Sequence, residues 1–278
     1  MVILSHFILQ LGAALACGCT TVVKPSDETP LSALAAAALA EEAGIPKGVI
    51  NVITTKKNLT GVSDALCLSP KVAAMSFTGS TRVGKLLYKQ CAGTVKKISL
   101  ELGGNAPFIV FDSADVDLAV AGCMASKFRN CGQTCVSTNR VLVQNGIYDK
   151  FVAALKQAVE TTLVLGDGME KEVNQGPLVN QNQFDKVSRM VNEAVTSGAK
   201  VISGGSKHDM GDLFYKPTIL TDVTTQMEVF KDEIFGPVLS IARFNSEEDA
   251  LAIGKLITLV IIRIFSTFHS HKKVFDRT

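Results

Sequence analysis

The chain has 278 residues, enough for one large or two medium domains with a sizeable core. Hydrophobic residues make up 47% and charged ones 19%, which excludes a disordered chain, and a net charge of +2 without any basic run excludes nucleic acid as an expected partner. Seven cysteines at irregular spacing exclude a small disulfide-stapled fold and fit a reducing compartment.

The first 23 residues, "MVILSHFILQLGAALACGCTTVV", contain no Lys, Arg, Asp or Glu. Their length would suit a membrane span or a signal peptide, but the start carries no positive charge, and His6, Gln10 and a Gly/Cys/Thr cluster interrupt the run. The expectation is a buried helix over 3–16 leading into a buried strand over 20–24, with no membrane involved. "TPLSALAAAALAEEAG" predicts a helix, with Thr29 at the cap, Pro30 at its first position and Gly44 ending it. "GVINVIT" predicts a strand, "LTGVSDALCLSP" a helix that stops before Pro70, and "VAAMSFTG" a strand. "STRVGKLLYKQCAG" follows as a helix and "VKKISLELGG" as a strand. This alternation, with short connections, predicts a parallel sheet with helices on its faces.

A helix is expected around Val116–Phe128, then a strand in "NRVLVQ". Amphipathic helices follow in "YDKFVAALKQAVETT" and in "NQFDKVSRMVNEAVTSGAK", the second ending at Gly198. "KVISGG", "KPTILTDV" and "PVLSIARF" read as strands. The domain boundary is expected near Gly103–Pro107, giving one domain over 1–104 and another over 105–253. The remainder, 254–278, has a different texture and no clear stop signals. Its apolar run Leu256–Phe265 is short and contains Arg263, so it is not expected to span a membrane.

Four stretches carry groups suited to chemistry. "FRNCGQTCVSTNR" holds Cys131 and Cys135 near Arg129. A zinc site would need further ligands at characteristic spacing, and the four histidines are scattered, so no metal is expected. A nucleophilic thiol would need backbone N–H groups, a helix end or a cation close by. Glu101 ends a strand before two glycines, where parallel sheets place ligands and where a general base could stand. In "FTGSTRVG" a strand runs into Gly79 and Ser80 and a helix begins, which makes an anion site. Lys24 and Asp27 follow a strand in "VVKPSDETP", where a carboxylate can accept from a ribose. Taken singly, each also fits an ordinary role: an inert buried cysteine, a surface carboxylate, a plain capped helix, a solvated turn.

Together and in this order they resemble the NAD(P)-dependent aldehyde dehydrogenases. The matching stretches are "GCTTVVKPSDETPLSAL", "FTGSTRVG", "LELGGNAP", "GQTC", "GPLV", "KPTIL" and "EIFGPV", within roughly Gly12–Ile253. The resemblance implies an α/β fold: a partial Rossmann-like parallel-sheet cofactor domain, then an α/β catalytic domain of the aldehyde dehydrogenase type. It implies Cys135 as the nucleophile, its backbone N–H receiving the oxyanion, and Glu101 as the base that activates the hydrolytic water. Lys24 and Asp27 would hold the adenosine ribose, Gly79 and Ser80 would meet the pyrophosphate, and Pro25, Gly84 and Leu102 would also bind the cofactor. Glu233 and Phe235 would hold the nicotinamide end. Asp27 would repel a 2′-phosphate, so the implied cofactor is NAD, with NADP as the alternative. "PFIVFDSADVDLAVAGCMASKFRN" is most similar to the branch of the family that oxidises succinate semialdehyde, which implies Arg129 as the reader of a substrate carboxylate.

Set against the family pattern, the cofactor-domain strands that would precede residue 1 are missing, with the asparagine that completes the oxyanion hole. Similarity also stops after "FNSEEDALAI". The expectation is a fragment of an enzyme that oxidises succinate semialdehyde, the alternatives being another aldehyde or semialdehyde dehydrogenase or a catalytically inactive fragment of one, and a homo-oligomer of the family type only at full length. The compartment is left open between mitochondrial matrix and cytoplasm. Cys131 also departs from the pattern: the second cysteine expected just after the nucleophile is Ser137 here, leaving Cys131 as either a redox partner of Cys135 or a small residue at a helix end.

Overall fold

In the computed structural model, which describes residues 2–254 and 263–265, the chain divides into two units, residues 1–103 and 104–278. The first unit runs α1 (Val2–Ala16), β1 (Thr21–Val23), α2 (Pro30–Glu42), β2 (Ile50–Val52), α3 (Leu59–Leu68), β3 (Ala74–Thr78), α4 (Thr81–Ala92) and β4 (Lys97–Glu101). Local chemistry sets these limits. Thr29 precedes Pro30 at the start of α2, and Gly44 takes up φ +95° just past its end, a region open to a residue without Cβ. Asn58 and Ser80 cap α3 and α4, their side chains accepting from the Gly61 and Val83 amides, each at 3.3 Å.

Two expectations for this unit need correction. The strands are parallel, but they form two separate two-stranded sheets, β1–β2 and β3–β4, rather than one. Each βα crossover pairs its own two strands, and among the described residues no ladder links β1 or β2 to β3 or β4. Nor are residues 8–16 of α1, or β1, buried throughout: Leu11 is, but Leu9 is 71% exposed and Val22 48%. A charge-free segment buries only the faces that neighbours cover, and composition does not reveal those faces. Among the described residues no helix is long and apolar enough to cross a membrane. The unit's core is Cys67, Leu87 and Cys91, with Met75, Phe77, Val83 and Ile98 packed against them.

The second unit runs β5 (Ala106–Val110), α5 (Val116–Lys127), a short 3-10 turn (Arg129–Gly132), β6 (Thr138–Gln144), α6 (Tyr148–Thr162), α7 (Gln181–Thr196), β7 (Lys200–Ser203), β8 (Thr218–Thr221), α8 (Glu228–Lys231), β9 (Val238–Phe244), α9 (Glu247–Gly254) and β10 (Arg263–Phe265). Its six strands lie in the order β10-β5-β6-β9-β8-β7, all parallel except β7, which runs antiparallel to β8. Alternate residues face opposite ways. Ile109, Leu142, Leu220 and Ala242 join a core with α7, while Phe108, Val141, Ile219 and Ile241 join a core with α5 and α6. Apart from residues 263–265, the tail of unassigned character after residue 254 lies outside the described residues.

β5 was not among the predicted strands. All five of its residues are buried, so it lacks the alternation that marks a half-exposed strand. Arg140, fully buried on β6, ties this sheet to α9. Its guanidinium donates to the carbonyls of Asn105 (3.0 Å), Ile253 (3.2 Å) and Gly254 (3.4 Å) and lies over the Phe230 ring. A cation on the last carbonyls of a helix satisfies groups that have no partner within it.

Candidate active site

The first unit brings five of the sequence-predicted residues, Gly79, Ser80, Gly84, Glu101 and Leu102, together around the C-terminal ends of β3 and β4. Thr78 pairs with Glu101, and the Gly79 amide donates to the Glu101 carbonyl at 3.0 Å. Gly79 and Ser80 are exposed where α4 begins, and the first turn of α4 carries no acidic side chain to compete for its amides. Gly84 packs on Leu102: a Cβ there would stand 2.5 Å from the Leu102 side chain, so glycine lets helix and strand approach closely. The Glu101 side chain is exposed. Lys24, Pro25 and Asp27 follow β1. The Lys24 ammonium donates to the Pro25 carbonyl at 2.7 Å, and the Asp27 carboxylate is exposed. The glycine turn and helix start after β3 suit a phosphate, and after β1 Lys24 and the exposed Asp27 carboxylate are groups that suit a ribose.

In the second unit the cysteine stretch is a bent linker between α5 and β6. Three successive residues, Asn130, Cys131 and Gly132, take positive φ angles of 51°, 55° and 71°. Glycine is required at 132, since a Cβ there would stand 2.2 Å from the Gly236 carbonyl oxygen. Cys135 follows in a turn closed by the Ser137 amide donating to the Thr134 carbonyl at 2.9 Å. Cys123 and Cys131 are buried, whereas Cys135 is partly exposed. Burial pushes the Cys123 thiol up to about 12 and raises Cys131 as well. The Cys131 sulfur is held by the Gly176 backbone, accepting from its amide at 3.2 Å and donating to its carbonyl at 3.1 Å. Arg129 is exposed and makes no ion pair with the described residues.

Two other loops meet this linker. "GPLV" braces it: Gln133 donates to the Pro177 carbonyl at 3.3 Å and accepts from the Val179 amide at 2.9 Å. "EIFGPV" reaches it through Gly236. Gln183 donates to the carbonyls of Ile234 and Phe235, both at 2.9 Å, and the Lys186 ammonium donates to the Glu233 carbonyl at 2.6 Å. Phe235 itself has φ +58°. Burial raises the Glu233 carboxyl, against the Gly104 amide and the charges of Lys186 and Lys127. The oxygens of Thr134 Oγ1 and Gln175 Oε1 are buried without a hydrogen-bond partner among the described residues, so each keeps capacity for water or ligand. Among the described residues no three His, Cys, Asp or Glu side chains are grouped to hold a metal ion.

Sequence reasoning missed Lys127 and Asn139. Lys127 is 1% exposed, and burial brings its amine down to about 7. Asn139 is buried and donates to Asn105 (2.8 Å), Asp232 (3.0 Å) and Val229 (3.3 Å) while accepting from the Ile234 amide (3.1 Å). A lysine at the end of a helix and an asparagine at a strand start give no signal of this by themselves.

Residues 4–254 match the aldehyde dehydrogenase family model. The mitochondrial succinate-semialdehyde dehydrogenase of Homo sapiens is 54% identical over 246 residues, covering 88% of this chain and 46% of that protein. That of Arabidopsis thaliana is 56% identical over 245 residues, with the same shares. The crystal structure of succinate-semialdehyde dehydrogenase from Burkholderia pseudomallei superposes with a TM-score of 0.89 at 46% identity, covering 93% of this chain and 53% of that one. The chain therefore spans about half the length of the relatives it matches.

Proposed function

This chain belongs to the aldehyde dehydrogenase family, and on that premise we propose that the protein oxidises succinate semialdehyde to succinate with NAD(P)+ through a covalent intermediate on Cys135. The observation that carries this reading is the pairing of a partly exposed Cys135 with an exposed Arg129 six residues before it, in a chain 54% identical to a succinate-semialdehyde dehydrogenase.

The Cys135 sulfur, as thiolate, attacks the aldehyde carbon, and the new oxyanion takes a hydrogen bond from the Cys135 amide. A nicotinamide cofactor, when bound, would supply the hydride acceptor for oxidation of this adduct to the Cys135 thioester. Glu101 then takes a proton from the water that releases the acid. Arg129 holds the far carboxylate of the substrate, a contact worth roughly 1.5–3 kcal/mol when desolvated. Lys24 and Asp27 would hold the adenosine ribose, Gly79 and Ser80 would meet the pyrophosphate, and Pro25, Gly84 and Leu102 would contribute to cofactor binding. Glu233 and Phe235 hold the nicotinamide ribose and ring. The Asp27 carboxylate favours NAD, because it would repel a 2′-phosphate.

A substrate panel followed by NADH formation tests the assignment. Arg129→Ala is expected to lower kcat/KM for succinate semialdehyde by roughly 10- to 150-fold, the equivalent of that contact, and to leave an uncharged aldehyde such as butanal little changed. Equal losses on both would overturn the role of Arg129. Activity surviving in Cys135→Ala would overturn the mechanism.

A further inference from the structure

We propose that Cys131 is a positioning residue for Cys135: its thiol clips the nucleophile linker to the backbone of Gly176 and so fixes where the Cys135 sulfur stands. The role deepens the reading above and rests on it, since Cys135 is the nucleophile there.

The linker needs holding. Asn130, Cys131 and Gly132 turn through three successive positive φ angles, a region that glycine enters freely and asparagine tolerates. Cysteine has no such tolerance, so Cys131 keeps its φ of 55° only because its surroundings enforce it. Its backbone supplies one restraint, the Cys131 amide donating to the Phe128 carbonyl at 3.1 Å. Its side chain supplies two more. Cys131 is 5% exposed, and its sulfur accepts from the Gly176 amide at 3.2 Å while donating to the Gly176 carbonyl at 3.1 Å. A thiol can do both at once. Alanine would suit the space and leave both Gly176 groups without that partner.

The clip is the middle one of three ties. Gln175 Nε2 donates to the Phe128 carbonyl at 2.9 Å on one side of it, and Gln133 meets the Pro177 carbonyl and the Val179 amide on the other. The linker is thus laced in order, 128, 131 and 133, to 175, 176 and 177–179 of the facing segment. Cys131 holds the point of unfavourable φ. Without its sulfur, residues 130 and 131 can relax to ordinary negative φ, which swings the chain that follows. Cys135 lies four residues on, and a displacement of about 1 Å at a reacting group can cost about 100-fold in rate.

The test reads Cys135 on the chain alone, with no cofactor. Iodoacetamide labelling of Cys135 is followed by peptide mapping at rising concentrations of succinate semialdehyde and, separately, of butanal. Each series gives the aldehyde concentration that halves the labelling rate. In Cys131→Ala that concentration should rise about 5-fold or more for both aldehydes alike, whereas Arg129→Ala should affect succinate semialdehyde selectively. Cys131→Ser, whose hydroxyl also donates and accepts, should stay within about 2-fold of the wild type. Amide exchange at Gly176 should quicken about 10-fold in Cys131→Ala and less in Cys131→Ser. Half-protection concentrations unmoved in Cys131→Ala, a loss in Cys131→Ser as large as in Cys131→Ala, or Gly176 exchange unmoved in Cys131→Ala would each overturn the clip while leaving Cys135 as the nucleophile. A wild type that neither aldehyde protects would instead overturn the assignment of Cys135, and the role of Cys131 with it.

Discussion

Lys127 shows how far burial can redirect a residue whose type suggests a solvated surface. Its folded pKa, about 7, lies below the ordinary 10.5 of an exposed lysine. Between those values the unfolded chain holds a proton that the folded chain has released, so stability rises with pH across the window. Below about 7 both states are charged and the penalty of burial is complete. The melting temperature of the wild type minus that of Lys127→Met should therefore climb by several degrees from pH 7 towards 10. A difference that stays flat across this range would contradict the burial of this amine. Cys135, Glu101 and Arg129 could be named from the sequence because their neighbours follow a family pattern. Lys127 could not, because a lysine at a helix end is ordinarily solvated and its local sequence does not show that it is buried.

At the scale of elements, the loop between α8 and β9 depends on two asparagines. Asn139 reaches Val229, Asp232 and the Ile234 amide, and Asn105 donates to the Phe230 and Lys231 carbonyls at 2.9 and 2.8 Å. Asn139→Leu would leave those backbone groups buried and unpaired, at a cost of about 1–3 kcal/mol for each group not rescued by water. Urea unfolding should register a total loss of at least about 2 kcal/mol, with faster amide exchange confined at first to residues 228–236. An unchanged unfolding midpoint would show that the loop is held by other means. Helices and strands with clear periodicity were legible: α6 and α7 lie where their apolar spacing puts them. β5 and the short α8 were not, because a fully buried strand has no alternation and a four-residue helix has no period to read.

At the scale of the whole chain, the two units differ in how much core they own. Cys67, Leu87 and Cys91 anchor the first, while the sheet of the second is covered by apolar clusters on both faces. Stability follows buried apolar contact, so amides of β3 and β4 should exchange roughly 100-fold faster than those of β6 and β9. Equal protection in the two units would contradict this. The α/β class could be argued from the alternation of strands and helices. That the first unit's strands form two separate pairs could not, because nothing local in a strand shows whether the next pair's strands will join its sheet. The account as a whole turns on Cys135, and competitive alkylation followed by peptide mapping tests it most directly. Iodoacetamide at neutral pH should label Cys135 ahead of the buried Cys67, Cys91, Cys123 and Cys131. Succinate semialdehyde should slow that labelling more than butanal does, and the difference should disappear in Arg129→Ala. Labelling of Cys135 at the same rate with and without succinate semialdehyde would contradict its assignment as the aldehyde-binding nucleophile.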